Sequence, residues 1–159
     1  MRGRLDSIDL AILKELQEDG SITNVELARR VGLSAPPCLR RVRALEEAGY
    51  ITGYRALLAP KMLGFEVVFF AMVQLAAQGK AQLAEFQRRI KDWPAVRECW
   101  SLSGEVDFIL KCVAPNLSGL QAVIDELTEL PNVRNVRSAL SLDLIKDEPL
   151  VPMEMAPVA

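Results

Sequence analysis

The sequence predicts an α+β protein with two domains, on three observations. Apolar residues recur at helical spacing in three short segments within residues 1–60. From 61 to 147, strand-like and helix-like segments alternate instead. Half of the 159 residues are hydrophobic and a quarter are charged, which is the composition of a chain that folds around packed cores. We therefore expect domains at 1–60 and 61–147, followed by a tail at 148–159.

Composition also narrows the functions that the chain can have. There is no histidine, which removes the commonest general base and a favoured metal ligand. Cys38, Cys99 and Cys112 are odd in number and include no C-x-x-C pair, so we expect buried thiols and no disulfide, metal site or cofactor. The longest apolar run, 67–73, is far shorter than the roughly 20 residues that span a bilayer. The sequence therefore predicts a cytoplasmic protein that is not an enzyme and has no membrane partner.

Capping residues delimit the first two predicted helices. Helix 1 is expected at 7–19, with Asp6 as its N-cap and Gly20 as a left-handed terminator. A capping box of Thr23 and Glu26 begins a short second helix, in which each side chain is expected to satisfy an unpaired backbone N–H. These features predict two short helices in the first 32 residues.

The third predicted helix carries the basic residues of the N-terminal domain. It is expected at 34–48, ending at Gly49, with two prolines in the first turn, where missing N–H groups matter least. Arg40 and Arg43 lie opposite its apolar stripe and could bind a guanine edge or a phosphate. The three helices predict a helix-turn-helix. Residues 50–57 after it are expected to form a turn and an extended strand, the place for a small wing or hinge. The alternative is a three-helix bundle with a solvated basic face.

The second domain follows the order βαββαβ of a ferredoxin-like sandwich. Its predicted segments are strand 67–75, helix 80–91, strand 96–102, strand 107–113, helix 117–129 and strand 133–144. The first strand is apolar on both sides, although one face of such a sheet should be wet. We therefore expect a second copy of the chain to cover this face. The tail after 147 is expected to fray or to strap onto a neighbour.

Several motifs resemble the Lrp/AsnC family of bacterial and archaeal regulators, and their order and spacing cover about residues 5–147. The motifs are Leu5-Asp6-x-x-Asp9, Ala28-Arg29-x-Val31-Gly32-Leu33-Ser34, Arg41-Val42-x-x-Leu45-Glu46-x-x-Gly49-x-Ile51, Leu63-Gly64 and Gly104-x-x-Asp107. The resemblance implies double-stranded DNA as a partner, an amino-acid effector, dimerisation through the C-terminal sheet, and assembly of dimers into tetramers or octamers.

The family motif places DNA contacts at the start and outer face of the third helix. In this sequence the matching residues are Ser34, Pro36, Pro37, Arg40, Arg41 and Arg43. The Pro36-Pro37 pair departs from the single proline, or none, that is commoner in the family. For Arg41 an ion pair with Glu26 or Glu46 is the alternative, and Ser34 could serve only as a cap.

The resemblance also places the effector near the loop between the second and third strands of the C-terminal domain. Gly104 would let backbone N–H groups approach a carboxylate, and Asp107 would accept hydrogen bonds from an ammonium group. The alternative is that Gly104 only turns the hairpin and Asp107 caps a strand. The full set of candidate effector residues is Ser101, Ser103, Gly104, Val106, Asp107 and Ser138.

Three classes of function fit this sequence to different degrees. A ligand-responsive, sequence-specific transcriptional regulator is the leading interpretation. An architectural protein that coats DNA without a ligand is an alternative, because an oligomer with many helix-turn-helix modules would bend DNA in either case. Siroheme decarboxylases resemble the family in fold, but their chemistry is expected to need histidine, which is absent here.

Overall fold

The structure, a computed structural model, describes residues 5–153 and divides into two compact units. One unit comprises the chain up to Leu57 together with the described residues from Lys146 onward, and the other spans Leu58–Ile145. Each unit has its own core of buried apolar side chains. Within the described chain, no helix is both long and apolar enough to cross a bilayer.

The N-terminal unit contains the three predicted helices. They are α1 (Ser7–Glu18), α2 (Asn24–Arg30) and α3 (Ala35–Glu47). α1 begins at a capping box, in which the Asp6 carboxylate accepts from the Asp9 N–H at 2.8 Å and the Asp9 carboxylate accepts from the Asp6 N–H at 3.2 Å. The helices enclose the buried side chains of Ile12, Leu27, Ala28, Cys38, Val42 and Leu45.

Two of the predicted caps differ from those in the structure. The C-cap of α1 is Asp19, which has an extended backbone conformation. We expected a left-handed conformation at Gly20, but Gly20 does not adopt one. The Thr23 hydroxyl accepts from the Glu26 N–H, but the Glu26 carboxylate binds arginines instead of a backbone N–H. A charged guanidinium is a stronger partner for a carboxylate than a neutral amide, so only half of that capping box forms. Gly49 ends α3 with φ of 77°, as predicted.

The extended strand predicted at 50–57 is not present. Residues 51–59 form no regular element, and the N-terminal unit holds no strand among its described residues. A strand is stable only when a neighbouring strand accepts and donates its backbone hydrogen bonds, and this unit offers none. The structure therefore differs from the sequence prediction in having no strand at 50–57.

The C-terminal unit has the predicted βαββαβ order behind a 3-10 turn at Pro60–Leu63. Its elements are β1 (Val67–Leu75), α4 (Lys80–Lys91), β2 (Val96–Ser101), β3 (Phe108–Ala114), α5 (Leu117–Glu129) and β4 (Val133–Leu140). The antiparallel sheet has the order β2-β3-β1-β4, which confirms the ferredoxin-like arrangement. β4 ends at Leu140 and is shorter than predicted. The Ser141 N–H still donates to the Val68 carbonyl at 2.9 Å, but β1 begins at Val67, so the register leaves residues from 143 onward without a strand opposite them.

The two faces of β1 have different surroundings. Alternate residues from Val67 to Leu75 are buried, and they form the core with α4 and α5. The Phe86 and Phe108 rings stack in this core with centroids 4.6 Å apart. On the opposite face, the side chains of Val68, Phe70, Met72, Ile109 and Val113 are only half-buried. We call this surface the open sheet face, and its apolar character is the one that the sequence predicted.

Candidate functional site

The turn between α2 and α3 is held by contacts on both sides of Gly32. The Asn24 side-chain amide donates to the Ala35 carbonyl at 2.8 Å, and the Leu33 N–H donates to the Ala28 carbonyl at 2.8 Å. Gly32 has φ of 70°, a conformation that residues with a side chain rarely adopt. This turn sets the direction in which α3 leaves α2.

The start of α3 combines a cap residue with the two prolines. Ser34 is the N-cap, and its side chain makes no capping hydrogen bond. Pro36 and Pro37 follow in the first turn, where a helix has no use for their missing N–H groups. The hydroxyl of Ser34 and the ring of Pro36 are thus exposed beside the outer face of α3.

Two arginines on the outer face of α3 have no partner among residues 5–153. Arg40 and Arg43 are exposed, and neither makes a hydrogen bond or ion pair with another described residue. Their side chains are long enough to reach either a phosphate or the edge of a guanine. α3 therefore presents two cations to solvent on the side opposite its buried residues Cys38, Val42 and Leu45.

Arg41 lies between Arg40 and Arg43 in the sequence, but unlike them it forms ion pairs with two carboxylates. Its Nη1 donates to Oδ2 of Asp6 at 2.8 Å and to Oδ1 of Asp9 at 2.7 Å. The N–H of Asp9 and the guanidinium of Arg41 lower the pKa of Asp6. The ion pair expected with Glu26 or Glu46 is thus made with α1 instead, because Arg41 lies on the side of α3 that faces that helix.

The arginines of α2 are also engaged by carboxylates. Glu26 accepts hydrogen bonds from both Arg29 and Arg30, and Arg30 also donates to Glu15 of α1 at 2.8 Å. The hydrogen bonds from Arg29 and Arg30 lower the pKa of Glu26 to about 2. Glu26 therefore stays ionised and neutralises part of the positive charge of α2.

The C-terminal segment closes an apolar cavity in the N-terminal unit. The Gln17 side-chain amide of α1 donates to the Val151 carbonyl at 2.7 Å. A cavity of about 540 Å³ lies between this segment, α1 and residues 50–54, and Leu13, Leu16 and Ile51 are among its lining residues. The described part of the tail thus packs on the helix-turn-helix unit of its own chain.

The loop between β2 and β3 is tied to the end of β1 by Asp107. This carboxylate is 8% exposed, and its Oδ2 accepts from the Leu75 N–H at 2.7 Å. The Asp107 N–H donates to the Val73 carbonyl at 3.0 Å. Gly104, at the loop tip, has φ of 130°, which disfavours any other residue there. The structure therefore shows the strand-end contact that was the alternative role for Asp107.

Beside this loop a polar cavity of about 310 Å³ opens on the side of the sheet away from α4 and α5. Its lining residues are Met72, Gln74, Glu105, Val106, Asn135 and Arg137. Four of these six carry polar side chains, and none of the four makes a side-chain hydrogen bond or ion pair with another described residue. One guanidinium and one carboxylate thus line the same cavity without pairing with each other.

The candidate effector residues do not all meet at this cavity. Val106 lines it, and Ser103 and Gly104 lie in the same loop. Ser101 and Ser138 lie on opposite edge strands and on the helix-covered side, so at least three strand spacings, about 14 Å, separate them.

Sequence reasoning missed five of the six lining residues. A usable signal was present, because Gln74 interrupts an otherwise apolar strand. Asn135 and Arg137 alternate along β4 in the way that places both on one face. Among the described residues, no group of histidine, cysteine, aspartate or glutamate side chains could hold a metal ion.

Comparisons with known families match both units of the chain. The family model described as winged helix-turn-helix DNA-binding matches residues 5–52. The model described as the Lrp/AsnC ligand binding domain matches residues 68–151.

Relatives and solved structures cover nearly the whole chain. A leucine-responsive regulatory protein of Rhizobium meliloti (strain 1021) is 58% identical over 92% of this chain and 95% of its own length. The Escherichia coli (strain K12) protein of the same name is 40% identical over 89% and 87%. An AsnC family transcriptional regulator from Agrobacterium tumefaciens superposes with a TM-score of 0.89 at 32% identity, covering 96% of this chain and 100% of that one. A transcriptional regulator from Neisseria meningitidis, solved as a complex with L-Met, gives 0.89 at 36% identity, covering 94% and 97%.

Proposed function

Because the chain belongs to the Lrp/AsnC family of DNA-binding transcriptional regulators, we propose that a free amino acid controls how tightly it binds a specific DNA sequence. The observation that carries the DNA part is the pair of unpartnered arginines, Arg40 and Arg43, on the outer face of α3. The effector part is supported by the Lrp/AsnC ligand-binding domain and by the L-Met complex of the Neisseria relative.

The proposed DNA surface is the N-terminal start and outer face of α3. It comprises the sequence-predicted residues Ser34, Pro36, Pro37, Arg40, Arg41 and Arg43. Arg40 and Arg43 would contact bases or phosphates directly, since no carboxylate competes for them in the described chain. The ion pairs of Arg41 with Asp6 and Asp9 support a positioning role, in which Arg41 fixes α3 against α1.

The proposed effector site is the region of the β2–β3 loop. Val106 is the predicted residue that lines the polar cavity, and Ser103 and Gly104 belong to the same loop. Asp107 would act through the loop that it holds, because one of its carboxylate oxygens is engaged by the Leu75 N–H. Ser101 and Ser138 would contribute only from a neighbouring copy, since they lie on the other side of this sheet.

We also propose a homodimer that assembles further into tetramers or octamers. The open sheet face supports the dimer, because Phe70, Met72 and Ile109 are half-buried there and Trp100 is 52% exposed. Apolar side chains in one continuous patch are typical of a surface that another subunit covers.

The proposed function also bears on the cellular compartment of the protein and on whether it is an enzyme. A regulator acts where the DNA is, and we therefore propose that this protein works in the cytoplasm. We assign it no catalytic activity, because the chain has no histidine for general acid–base chemistry and its relatives are named as regulators.

The experiment measures both halves of the proposal on the full chain. DNA fragments that the protein selects from its own genome are labelled, and fluorescence anisotropy gives the affinity with and without each of the twenty amino acids. We expect preference for the selected fragments over random DNA, and one amino acid or a few should change the affinity by about 5- to 150-fold. Calorimetry should find the same factor in the amino acid's own affinity when DNA is added, because such coupling is reciprocal.

Two results would contradict the proposal in different ways. Equal affinity for selected and random DNA would remove sequence-specific binding. An affinity for selected DNA that no amino acid changes would instead leave an architectural protein without an effector.

A further inference from the structure

We propose that residues 150–153 form a strap that restrains the N-terminal unit, so that the C-terminal unit holds the DNA-binding helices through two segments of the chain instead of one. The strap lies at the apolar cavity of about 540 Å³ beside α1. This inference goes beyond the proposed function by assigning a role to the tail. It rests on that function only in using the binding of selected DNA as one of its measurements.

Helix α1 is apolar on two sides, and the core of the N-terminal unit uses one of them. Ile8 and Ile12 are four positions apart, and Ile12 is fully buried in the core that α1 shares with α2 and α3. Leu10, Leu13 and Gln17 recur at spacings of three and four and thus lie on the opposite side. This second side lines the apolar cavity. An N-terminal unit without the tail would therefore leave apolar surface of α1 uncovered.

The strap covers this side of α1 with one directed contact and several apolar side chains. The Gln17 side-chain amide donates to the Val151 carbonyl at 2.7 Å, which fixes the position of the strap along the helix. Leu150, Val151 and Met153 line the cavity together with the leucines of α1. Leu150 is 88% exposed and Val151 is 51% exposed, and the buried core of the unit includes no strap residue. The strap can therefore leave α1 without unfolding the three helices.

The linker that follows α3 is fixed beside the strap. The Tyr54 hydroxyl donates to the Glu46 carboxylate at 2.9 Å. The Tyr54 ring lies over Gly20, where a Cβ atom would be 3.3 Å from the ring, and this close approach favours glycine there. Tyr54 and Val151 line the same cavity. The linker and the tail, which both continue into the C-terminal unit, thus start from fixed points on one part of the N-terminal unit.

Two connections restrict the movement of a domain more than one does. The linker continues into β1 and the tail continues from β4, and these two strands are neighbours in the sheet. In an assembly of subunits, a restricted N-terminal unit has a higher effective concentration at its half-site once another unit has bound the same DNA. Loss of the strap should therefore weaken DNA binding, although the strap itself need not contact DNA.

Two truncated chains test whether the strap holds α1. A chain that ends at Pro149 should exchange the backbone amide hydrogens of α1 about tenfold faster than the wild type, since a hydrogen bond and apolar contacts are lost. It should also bind the selected DNA more weakly in fluorescence anisotropy. The matched control ends at Met153, keeps the strap, and should equal the wild type in both measurements. Wild-type exchange in the chain that ends at Pro149 would overturn the inference.

An insertion separates a strap that restrains the unit from one that only stabilises α1. About ten glycine and serine residues are inserted between Ile145 and Lys146, where the two units meet in the sequence, which roughly doubles the connection from Leu140 to Val151. The exchange of α1 should stay within about threefold of the wild type. Affinity for the selected DNA should fall about threefold for each N-terminal unit, because doubling a loop costs about that factor in closure. Wild-type affinity in this variant would show that the strap does not restrain the unit.

A crosslinking experiment tests whether the strap belongs to the same chain. Unlabelled and isotopically labelled chains are refolded together and treated with a lysine crosslinker, and crosslinks between Lys14 of α1 and Lys146 of the tail should join peptides of one label only. Mixed-label crosslinks would show that the tail packs on a second copy, and the inference would be wrong. If the wild type does not prefer selected DNA, the proposed function fails instead, and the exchange of α1 still decides whether the strap holds this helix.

Discussion

Helices α2 and α3 both carry arginines, but they use them in opposite ways. In α2, Arg29 and Arg30 both form ion pairs with the carboxylate of Glu26, so part of their positive charge is neutralised within the protein. In α3, Arg40 and Arg43 are exposed without a partner in the described chain. A count of basic residues would treat the two helices alike. The difference shows that the positions of carboxylates decide which arginines of these two helices stay open to a partner, and that the open ones lie on α3.

The C-terminal unit repeats this division between engaged and open charges. Asp107 is buried and holds the end of β1, whereas Glu105, two residues earlier, has no partner among the described residues and lines the polar cavity. Engaged charges stabilise the fold, and open charges are available to a ligand. Each of the following predictions tests this distinction between engaged and open charges.

The largest effect on folding is expected for Asp107→Ala. The substitution leaves the buried Leu75 N–H without an acceptor, which costs about 1 to 3 kcal/mol of unfolding free energy. Glu105→Ala is the matched control and should change stability by less than about 0.5 kcal/mol, because Glu105 is exposed and without a partner in the described chain. Urea denaturation of the two variants gives both values. Equal losses of unfolding free energy in the two variants would contradict the distinction between the engaged carboxylate of Asp107 and the open carboxylate of Glu105.

A smaller effect is expected from acid on the contacts of Glu26. Arg29 and Arg30 hold the pKa of Glu26 at about 2, below its ordinary value of 4.5. The ionised carboxylate therefore contributes stability that is fully present above about pH 4.5 and is lost as the pH falls toward about 2. The melting temperature of Glu26→Gln should be lower than that of the wild type near neutral pH, and the two should converge in this acidic range. A constant difference across the whole range would mean that ionisation of Glu26 contributes nothing to α2.

Much of the fold could be predicted because its signals are local. Capping residues and apolar periodicity located α1, α2 and α3 to within a residue or two, and the same patterns gave the βαββαβ order. The strand expected at 50–57 does not form, because it needs a partner strand and the described residues of this unit contain none. The prediction for the C-terminal end of β4 was wrong for a similar reason, since β1 begins at Val67 and the register leaves residues from 143 onward without a strand opposite them.

The sites were harder to predict because they depend on contacts between distant parts of the chain. The partner of Arg41 could not be identified from helical spacing, since Asp6 and Asp9 approach it only when α1 packs on α3. The polar cavity depends on a register that brings Gln74 opposite Asn135, 61 positions along the sequence. Gly104 and Asp107 form a visible motif, but they do not line that cavity.

The central claim is that the open arginines of α3, and not the engaged arginines of α2, bind DNA. The most direct measurement is the affinity of Arg40→Ala/Arg43→Ala and of Arg29→Ala for the selected DNA at several salt concentrations. The double variant should lose about 1 to 3 kcal/mol for each arginine that contacts a base, with a shallower salt dependence for each that contacts a phosphate. Arg29→Ala should match the wild type in both respects. Equal losses of affinity in the two variants, or a loss confined to Arg29→Ala, would contradict the claim.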